Sequence, residues 1–323
     1  LEVFYPAPLL KPSEAIANAV TEVFSLEQNT CIDLDSGQLA KLAGALDRAG
    51  ETRLAGIARQ LGDTTRPAVA VLLATDSQPQ SVPEAYLKLH LISHRLVQPH
   101  GTNLAGIFGV LPNVAWTNHG AIDLEELAQR QFEARLNGEV LTVTCVDKFP
   151  KMTDYVVPKG VRIADTARVR LGAYIGEGTT IMHEGFVNFN AGAEGPNMIE
   201  GRISAGVFVG AGSDLGGSSS TMGTLSGGGD IVISVGKECL LGANAGTGIP
   251  LGDRCTIEAG LYITAGTKVN MLDDEQKVVT AVKARELANR SDLLFRRNSV
   301  SGAVECLTNK TAVELNEALH AHN

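Results

Sequence analysis

Several features that mark other classes of protein are missing from this sequence. Among 323 residues there are only five cysteines, an odd number with no pair in CxxC spacing, so no disulfide framework is indicated. No apolar run approaches membrane-spanning length, and no signal-peptide pattern is present. The net charge of −9 argues against a nucleic-acid scaffold. These absences predict a cytoplasmic protein with reduced thiols that binds neither nucleic acid nor membrane. Because the chain begins at Leu1 rather than Met, we expect residues to precede it.

Histidine is scarce where a metal enzyme would need it. His183 is the only histidine between Val161 and Val269, which argues against a solenoid metalloenzyme of the carbonic anhydrase type. His90 and His94 are four residues apart on a predicted helix, a spacing that can bind metal, but no third ligand is evident. We interpret this pair as partly exposed helix histidines.

A six-residue repeat between Val161 and Val269 is the most informative pattern that is present. The repeated positions fall into four runs, which are Ile163, Val169, Ile175, Ile181 and Val187; Ile203, Val209, Leu215 and Thr221; Val235 and Leu241; and Ala245, Leu251, Ile257, Ile263 and Val269. A period of six fits neither a helix nor an alternating strand. It fits a chain that turns a corner every six residues, so that three faces close one triangular coil and coils stack on one another. The spaced aliphatic residues disfavour a flexible glycine-rich segment.

The repeat is interrupted at 188–197, 223–234 and 243–250. Extra residues in a solenoid leave one face as loops, often at the binding face, so we look for function at these three places. The chain outside the repeat predicts other structure. We expect an N-terminal α/β domain over 1–147, a catalytic parallel β-helix over 148–269 and a C-terminal helical and hairpin extension over 270–323, which covers the solenoid end.

The N-terminal domain shows helix and strand signals. We predict helices over 13–24, 36–46, 51–61 and 83–97, and another that Asp123 caps with Glu126 three residues on. Strands are predicted over 67–74 and 140–146. In the C-terminal extension we predict a hairpin at 271–278 and a helix over 311–320.

Few residues of the repeat region carry reactive chemistry. Glu200 follows the first interruption and is a candidate base or nucleophile, although an exposed salt-bridged glutamate fits equally on residues alone. Arg202, Lys283, Arg296 and Arg297 are candidate phosphate ligands or plain surface charges. The glycine run at 226–229 is either a loop that binds an oxyanion or a simple turn.

Six collinear motifs then point to one family. They are MHEGFVNFNAG (182–192), IEGRISAG (199–206), MGTLSGGG (222–229), LLGANAG (240–246), EAGLYITAGTKV (258–269) and LLFRRNS (293–299). Their order and wording resemble tetrahydrodipicolinate N-succinyltransferases of the lysine pathway, of the type found in actinobacteria and pseudomonads. The resemblance is specific from about residue 148 to 299 and looser elsewhere.

The resemblance implies a left-handed parallel β-helix that assembles as a homotrimer with active sites between subunits. It implies transfer of succinyl from succinyl-CoA to L-2-amino-6-oxopimelate, the ring-opened form of tetrahydrodipicolinate. Glu200 matches the family's acyl carrier, which forms a mixed succinic anhydride, and Gly223 matches a position beside the reacting acyl group. Family succinyl-CoA contacts match Arg202, Gly217, Ser220, Ala243, Glu258, Ala259, Gly266, Lys283, Arg296, Arg297, Asn298 and Ser299.

One part of the family pattern is incomplete. Some members bind a structural divalent metal such as magnesium on the trimer axis through two acidic residues. Glu184 matches one of these, but the other position falls at Ala167, close to Asp165. The metal site therefore departs from the family pattern.

Three alternatives stay open at this stage. Glu200 is either the acyl carrier or a general base for direct attack of the amine on the thioester. The chain is either a succinyltransferase, a related acyltransferase with another acyl-CoA or acceptor, or a non-catalytic solenoid. Arginine is the expected ligand of the acceptor carboxylates, and Arg162, Arg168 and Arg170 are equal candidates.

Overall fold

The computed structural model describes residues 1–25, 28–223 and 231–308. The chain divides into two compact units, Leu1–Leu91 with Thr102–Pro150 and Ile92–Gly101 with the chain from Lys151 onward. Each unit has its own sheets. No helix in the described ranges is long and apolar enough to cross a membrane.

The first unit is an α/β structure. Its helices are α1 (Glu14–Thr21), α2 (Ser36–Arg48), α3 (Thr52–Gly62), α4 (Val82–Ser93, whose last two residues belong to the second unit), α5 (Ile107–Val110) and α6 (Leu124–Leu136). Its strands are β1 (Thr30–Leu34), β2 (Ala68–Leu72), β3 (Val114–Thr117), β4 (Gly120–Asp123) and β5 (Val143–Asp147). Strands β1 and β2 pair antiparallel, and β3 lies between β4 and β5. The five helices and two strands predicted here are confirmed, with shifted ends.

Local chemistry sets several of these ends. Asp123 caps α6 as predicted, because its carboxylate accepts the main-chain N–H of Glu125 at 2.9 Å. Glu126 does not complete a capping box and instead pairs with Arg130 at 3.2 Å. The prediction that α4 continues to residue 97 is wrong. Arg95 has φ of +62°, and its Nε donates to the carbonyl of Ile175 at 2.6 Å, so a tertiary contact stops the helix.

The interpretation of His90 and His94 as partly exposed helix histidines is wrong for the exposure of His90, whereas His94 is partly exposed but lies outside the helix. His90 is fully buried, and its Nε2 accepts the main-chain N–H of Tyr5 at 3.3 Å. Its Nδ1 therefore carries the proton and donates to the Tyr86 carbonyl at 2.7 Å. His94 lies beyond the end of α4, where burial lowers its pKa.

A buried lysine connects two loops of the first unit. Lys88 is only 1% exposed, and its ammonium group contacts the Asp76 carboxylate and donates to the carbonyl of Ser77 at 2.6 Å. Asp76 also accepts the Thr102 hydroxyl at 2.9 Å and the main-chain N–H of Asn103 at 3.0 Å. Burial alone would raise the pKa of Asp76, but the hydrogen bonds from Lys88, Thr102 and Asn103 outweigh it and hold that pKa below its usual value.

The second unit is a parallel β-helix with three faces. Face 1 contains β6 (Arg162–Ile163), β8 (Thr180–Ile181), β11 (Met198–Ile199), β14 (Asp214–Leu215), β17 (Leu240–Leu241), β19 (Thr256–Ile257) and β23 (Leu293–Arg297). Face 2 contains β9 (Phe186–Val187), β12 (Arg202–Ile203), β15 (Ser220–Thr221), β18 (Gly246–Thr247) and β20 (Tyr262–Ile263). Face 3 contains β7 (Ala173–Ile175), β10 (Ala191–Ala193), β13 (Phe208–Val209) and β16 (Ser234–Val235). Inward residues such as Ile181, Ile199 and Ile257 are fully buried and form the core of the prism.

The first of the three predicted interruptions lies elsewhere. The segment 188–197 is regular, because β10 aligns Ala193 with Ile175 on one side and with Val209 on the other. The phase changes instead between Ile199 and Ile203, where four residues replace six. The sequence misled because a small alanine occupies the inward position at 193.

The third interruption is confirmed as a shift of four residues within 243–250, but the residue predicted at the repeated position, Ala245, is wrong. Thr247, rather than Ala245, aligns with Thr221 and Ile263, and the repeat then steps four residues to Leu251. The main-chain N–H of Leu251 donates to the carbonyl of Ser234 at 2.9 Å, which places it on face 3. The second interruption is confirmed as extra length, because strand β15 of face 2 ends at Thr221 and the next strand of face 3, β16, begins only at Ser234. Residues 224–230, including the glycine run, lie outside the described residues.

The C-terminal extension continues the solenoid. Strands β21 (Lys268–Leu272) and β22 (Val278–Lys283) form the predicted antiparallel hairpin, and β24 (Val304–Thr308) lies between β21 and β23. Strand β23 aligns Phe295 with Ile257 of the last coil, so this segment covers the end of face 1. The predicted helix over 311–320 lies outside the described residues.

Candidate active site

The corner between faces 1 and 2 is shortest at Glu200 and Gly201. The main-chain N–H of Glu200 donates to the carbonyl of Leu215 at 2.8 Å, and that of Arg202 donates to the carbonyl of Ser219 at 2.8 Å. These bonds hold the short corner directly against the next coil. A Cβ at Gly201 would clash with the hydroxyl and carbonyl oxygens of Ser219, so glycine is required by this close approach.

Glu200 is half-buried beside the corner of the next coil. Its Oε2 lies 3.5 Å from the point that a Cβ of Gly217 would occupy. The carboxylate therefore lies in van der Waals range of the Gly217 position. The arrangement places a half-buried carboxylate on a main chain that is hydrogen-bonded to the next coil.

The corner extends as a column of small residues along the solenoid. The main-chain N–H of Asn244 donates to the carbonyl of Gly217 at 2.8 Å, and that of Gly260 donates to the carbonyl of Ala243 at 2.8 Å. Ala259 lies at the same corner one coil further on, between β19 and β20. We name this set, from Glu200 through Gly217 and Ala243 to Ala259, the corner column. With about 4.8 Å between coils it extends roughly 14 Å from Glu200 to Ala259.

The far end of the corner column contacts the segment 296–298, which comprises the last two residues of β23 and the residue after it. The carboxylate of Glu258 accepts the main-chain N–H of Arg297 at 2.7 Å. The exposed Arg297 guanidinium donates to the carbonyl of Gly302 at 3.0 Å. Six of the predicted succinyl-CoA contacts thus belong to one edge of the prism, and they are Gly217, Ala243, Glu258, Ala259, Arg297 and the adjoining Asn298.

Arg296 differs from its neighbour in its contacts. Its Nε donates to the buried carboxylate of Glu305 at 3.0 Å, and its terminal nitrogen donates to the Gln276 side chain at 3.0 Å. Asn298 also donates to Glu305 at 2.8 Å, whereas Ser299 is exposed. Arg296 therefore forms an ion pair with Glu305, whereas the Arg297 guanidinium donates to a main-chain carbonyl.

Arg202 and Ser220 lie together on the outer side of face 2. The two residues align across β12 and β15, and the Arg202 guanidinium donates to the Ser220 hydroxyl at 2.8 Å. Arg202 is exposed, so its charge is available to a ligand lying on face 2 beside the corner column.

Three predicted site residues lie at the other end of the face 2 strands. Gly223 follows β15, and Gly266 follows β20. Lys283 aligns with Lys268 at the start of β21. Within one chain, the structure therefore does not bring Gly223, Gly266 and Lys283 together with Glu200.

The acidic residues expected at the metal site have local partners. The Ser218 hydroxyl donates to the Glu184 carboxylate at 3.0 Å, across the coil that carries Glu200. The Asp165 carboxylate accepts the main-chain N–H of Ala167 at 3.0 Å. In the described ranges no group of three or more histidine, cysteine, aspartate or glutamate side chains is placed to hold a metal ion. One chain by itself thus does not form the metal site, and that site stays a prediction for an assembly of several chains.

Two of the three candidate arginines for the acceptor have structural contacts. Arg168 donates to the carbonyl oxygens of Glu184 at 2.9 Å and Gly185 at 3.1 Å. Arg170 donates to the Asn188 side chain at 3.1 Å. Arg162 is exposed at the start of the solenoid.

Comparison with known proteins decides the family. A family model described as tetrahydrodipicolinate N-succinyltransferase middle matches residues 111–151, and one described as hexapeptide repeat of succinyl-transferase matches residues 232–265. The 2,3,4,5-tetrahydropyridine-2,6-dicarboxylate N-succinyltransferase of Pseudomonas putida is 69% identical over 324 positions, which cover 100% of this chain and 94% of the relative. The protein of the same name from Vibrio cholerae is 61% identical with the same coverage.

The chain belongs to the tetrahydrodipicolinate N-succinyltransferase family. A solved structure from Campylobacter jejuni, described as a 2,3,4,5-tetrahydropyridine-2-carboxylate N-succinyltransferase, is 35% identical with a TM-score of 0.82. The match covers 93% of this chain and 84% of that one. The fold of this N-succinyltransferase family member is accordingly a left-handed parallel β-helix with an N-terminal domain, as predicted.

Sequence reasoning missed Gly201 and Ser219 as parts of this N-succinyltransferase site. Gly201 stands inside the motif IEGRISAG, but the sequence by itself indicates no role for it. Its requirement for glycine depends on the register that places Ser219 against it, and no sequence pattern reveals that register.

Proposed function

We propose that this chain transfers the succinyl group of succinyl-CoA to the amino group of L-2-amino-6-oxopimelate, the ring-opened form of tetrahydrodipicolinate. This is the acyltransfer step in the succinylase branch of lysine and diaminopimelate biosynthesis, and we place it in the cytoplasm. The observation that carries the proposal is full-length similarity to curated N-succinyltransferases, with Glu200 held at the shortened corner.

Glu200 is the proposed acyl carrier. Its carboxylate oxygen attacks the thioester carbon, the carbon–sulfur bond breaks, and CoA leaves as the thiolate. The resulting succinyl–Glu200 anhydride is attacked by the acceptor amine, which forms the amide, loses a proton and frees the carboxylate. The rigid corner supports this role, because a nucleophile held in place loses little entropy on attack.

Direct transfer is the competing mechanism for the same reaction. Glu200 would then take the proton of the amine as the amine attacks the thioester carbon. In either mechanism Gly223, by its main-chain N–H, is the proposed donor to the oxyanion.

The corner column is the proposed track for the pantetheine arm of succinyl-CoA. Gly217, Ala243 and Ala259 present main chain and little side chain, which suits a narrow amide-containing ligand. Ser220 and Arg202 lie on face 2 beside its start, and Glu258 lies at its far end. At that end Arg297 is the proposed phosphate ligand, assisted by Arg296, Asn298 and Ser299.

A complete site requires more than one subunit under this proposal. Gly223, Gly266 and Lys283 lie at the opposite end of face 2 from Glu200, so one copy of face 2 supplies only part of the constellation. We therefore propose a homotrimer in which the corner column of one subunit meets the Gly223 end of the next. Glu184 alone matches the family's acidic metal ligands, and metal analysis of the purified protein tests whether a structural magnesium ion is bound.

Thiol release tests the activity. Purified protein is mixed with acceptor and either succinyl-CoA or acetyl-CoA, and free CoA thiol is followed. We expect release with succinyl-CoA only, and loss of release in Glu200→Gln. Release with acetyl-CoA alone, or none with either thioester, would overturn the proposed function.

Trapping separates the two mechanisms. Protein incubated with succinyl-CoA and no acceptor is separated from unreacted succinyl-CoA, whose thioester would itself form a hydroxamate, and is then treated with hydroxylamine and analysed by mass spectrometry. The anhydride mechanism predicts succinyl hydroxamate from the wild type and none from Glu200→Gln. No trapped species under slow turnover would favour direct transfer.

A further inference from the structure

Ser219 connects the turn after β14 to the corner that carries Glu200. Its main-chain N–H donates to the carbonyl of Gly216 at 2.9 Å, and its carbonyl accepts the N–H of Arg202 at 2.8 Å. Its side chain is buried, with 1% exposure, and its hydroxyl oxygen lies against Gly201 in the space that a Cβ there would need. Ser219 thus packs directly on the residue that follows Glu200.

The hydroxyl of Ser219 has no hydrogen-bond partner within the described residues. A buried hydroxyl without a partner costs stability, and alanine of nearly the same size would remove that cost. Ser219 is therefore unfavourable for the isolated fold, and such local conflicts are expected at functional positions.

Thr179 provides a built-in comparison. It lies in the same solenoid, just before β8, and is fully buried. Its hydroxyl likewise lacks a partner in the described part of the chain. It precedes a face 1 strand, at a different corner from Glu200. Its hydroxyl therefore lowers stability in the same way as that of Ser219 but lies away from Glu200.

We propose that Ser219 is a positioning residue for acyl transfer at Glu200. Its buried side chain packs on Gly201 and fixes the Glu200–Gly201 corner, so that the Glu200 carboxylate keeps the geometry needed for attack. This inference rests on the proposed function. It adds to that function a residue that acts through Gly201 on the reacting carboxylate.

Two matched variants test the inference in the full-length protein. Ser219→Ala and Thr179→Val each replace one hydroxyl that has no partner without leaving a large cavity, so both are expected to keep or raise the Tm. Only Ser219→Ala is expected to lower kcat, by roughly tenfold to hundredfold, because a displaced reacting group loses its attack geometry. The KM for succinyl-CoA is expected to stay at the wild-type value in both.

Each other outcome has a defined meaning. A wild-type kcat in Ser219→Ala, or a fall in kcat that accompanies a fall in Tm, overturns the positioning role. Equal losses of kcat in both variants overturn it as well, because they indicate a general packing effect. If the wild-type protein releases no thiol from succinyl-CoA, the proposed function fails and this inference fails with it. If the wild type and Glu200→Gln behave as expected but Ser219→Ala is fully active, this inference alone is wrong.

Discussion

The Glu258 carboxylate accepts the main-chain N–H of Arg297 at 2.7 Å and so joins the last coil corner to the C-terminal strand β23. A side chain of one segment thereby orients the main chain of another at the proposed phosphate end of the corner column. Such a bond to a charged acceptor is stronger than one between neutral groups.

Replacing Glu258 should weaken succinyl-CoA binding. We expect Glu258→Ala to raise the KM for succinyl-CoA roughly tenfold, since one hydrogen bond to a charged group is lost. Glu258→Gln keeps an acceptor oxygen and should have a smaller effect. Glu275→Ala, in the exposed hairpin, is the control. Steady-state kinetics with an unchanged KM in Glu258→Ala would contradict the role.

Replacing Arg297 should separate binding from chemistry. Arg297→Ala removes an exposed guanidinium far from the reacting carbon, so the KM for succinyl-CoA should rise roughly tenfold or more while kcat stays near wild type. Arg285→Ala removes another exposed arginine of the C-terminal extension and should change neither value. If both variants keep the wild-type KM, Arg297 is not a phosphate ligand.

A methyl group at Gly201 should disrupt the short corner. Gly201→Ala places a Cβ against main-chain atoms of Ser219, which we expect to cost about 1–3 kcal/mol of stability and to remove activity. Gly56→Ala adds a methyl group within helix α3, with no atom within 4 Å, and should stabilise by roughly 0.5–1 kcal/mol. Denaturant unfolding measures both. A Gly201→Ala protein as stable as wild type would contradict the requirement for glycine, because it would show that the coils of Gly201 and Ser219 can move apart without loss of stability.

Acid should destabilise the first unit through Asp76. Its pKa is held below the usual value of 3.8, so its contribution to stability is present above that value and is lost as pH falls through the lowered pKa. We expect Lys88→Met to be less stable at pH 7 and to lose less on acidification below about pH 4. Urea unfolding at several pH values measures this. If the free energy of unfolding changes with pH equally in the variant and the wild type, the Lys88–Asp76 pair is not the source of the acid sensitivity.

Thiol labelling should distinguish two classes of cysteine. Cys31 and Cys145 are exposed, whereas Cys239, Cys255 and Cys306 are buried, and burial raises the pKa of Cys306 to about 12. Because the thiolate is the reactive form, only the exposed pair should react with a disulfide reagent in the native protein. All five should react in denaturant, and fast native labelling of a third thiol would contradict the packing.

The six-residue repeat was sufficient to predict the β-helix, because its large aliphatic residues are also its buried ones. It failed at Ala193 and Thr247, where small or polar residues fill the inward position and hide the true phase. Glu200 could be singled out from its motif. The support that Ser219 gives to it could not, because that contact joins neighbouring coils and depends on their register.

The distance in space between Gly223 and Glu200 could not be predicted for a similar reason. A motif gives the position of a residue in the sequence, but it does not show at which end of a face that residue lies. Tertiary contacts also fixed the end of α4, where Arg95 binds the carbonyl of Ile175. Each of these features depends on residues that are far apart in sequence.

The coil that begins at Ile199 is two residues shorter than the regular coil before it. An insertion of two residues would give this coil the regular length. Two residues placed between Glu200 and Gly201 would restore the regular period and let the corner close over the gap. The protein with this insertion should form a more uniform prism and lose its acyltransfer activity. We therefore expect the function to depend on the shortness of this coil.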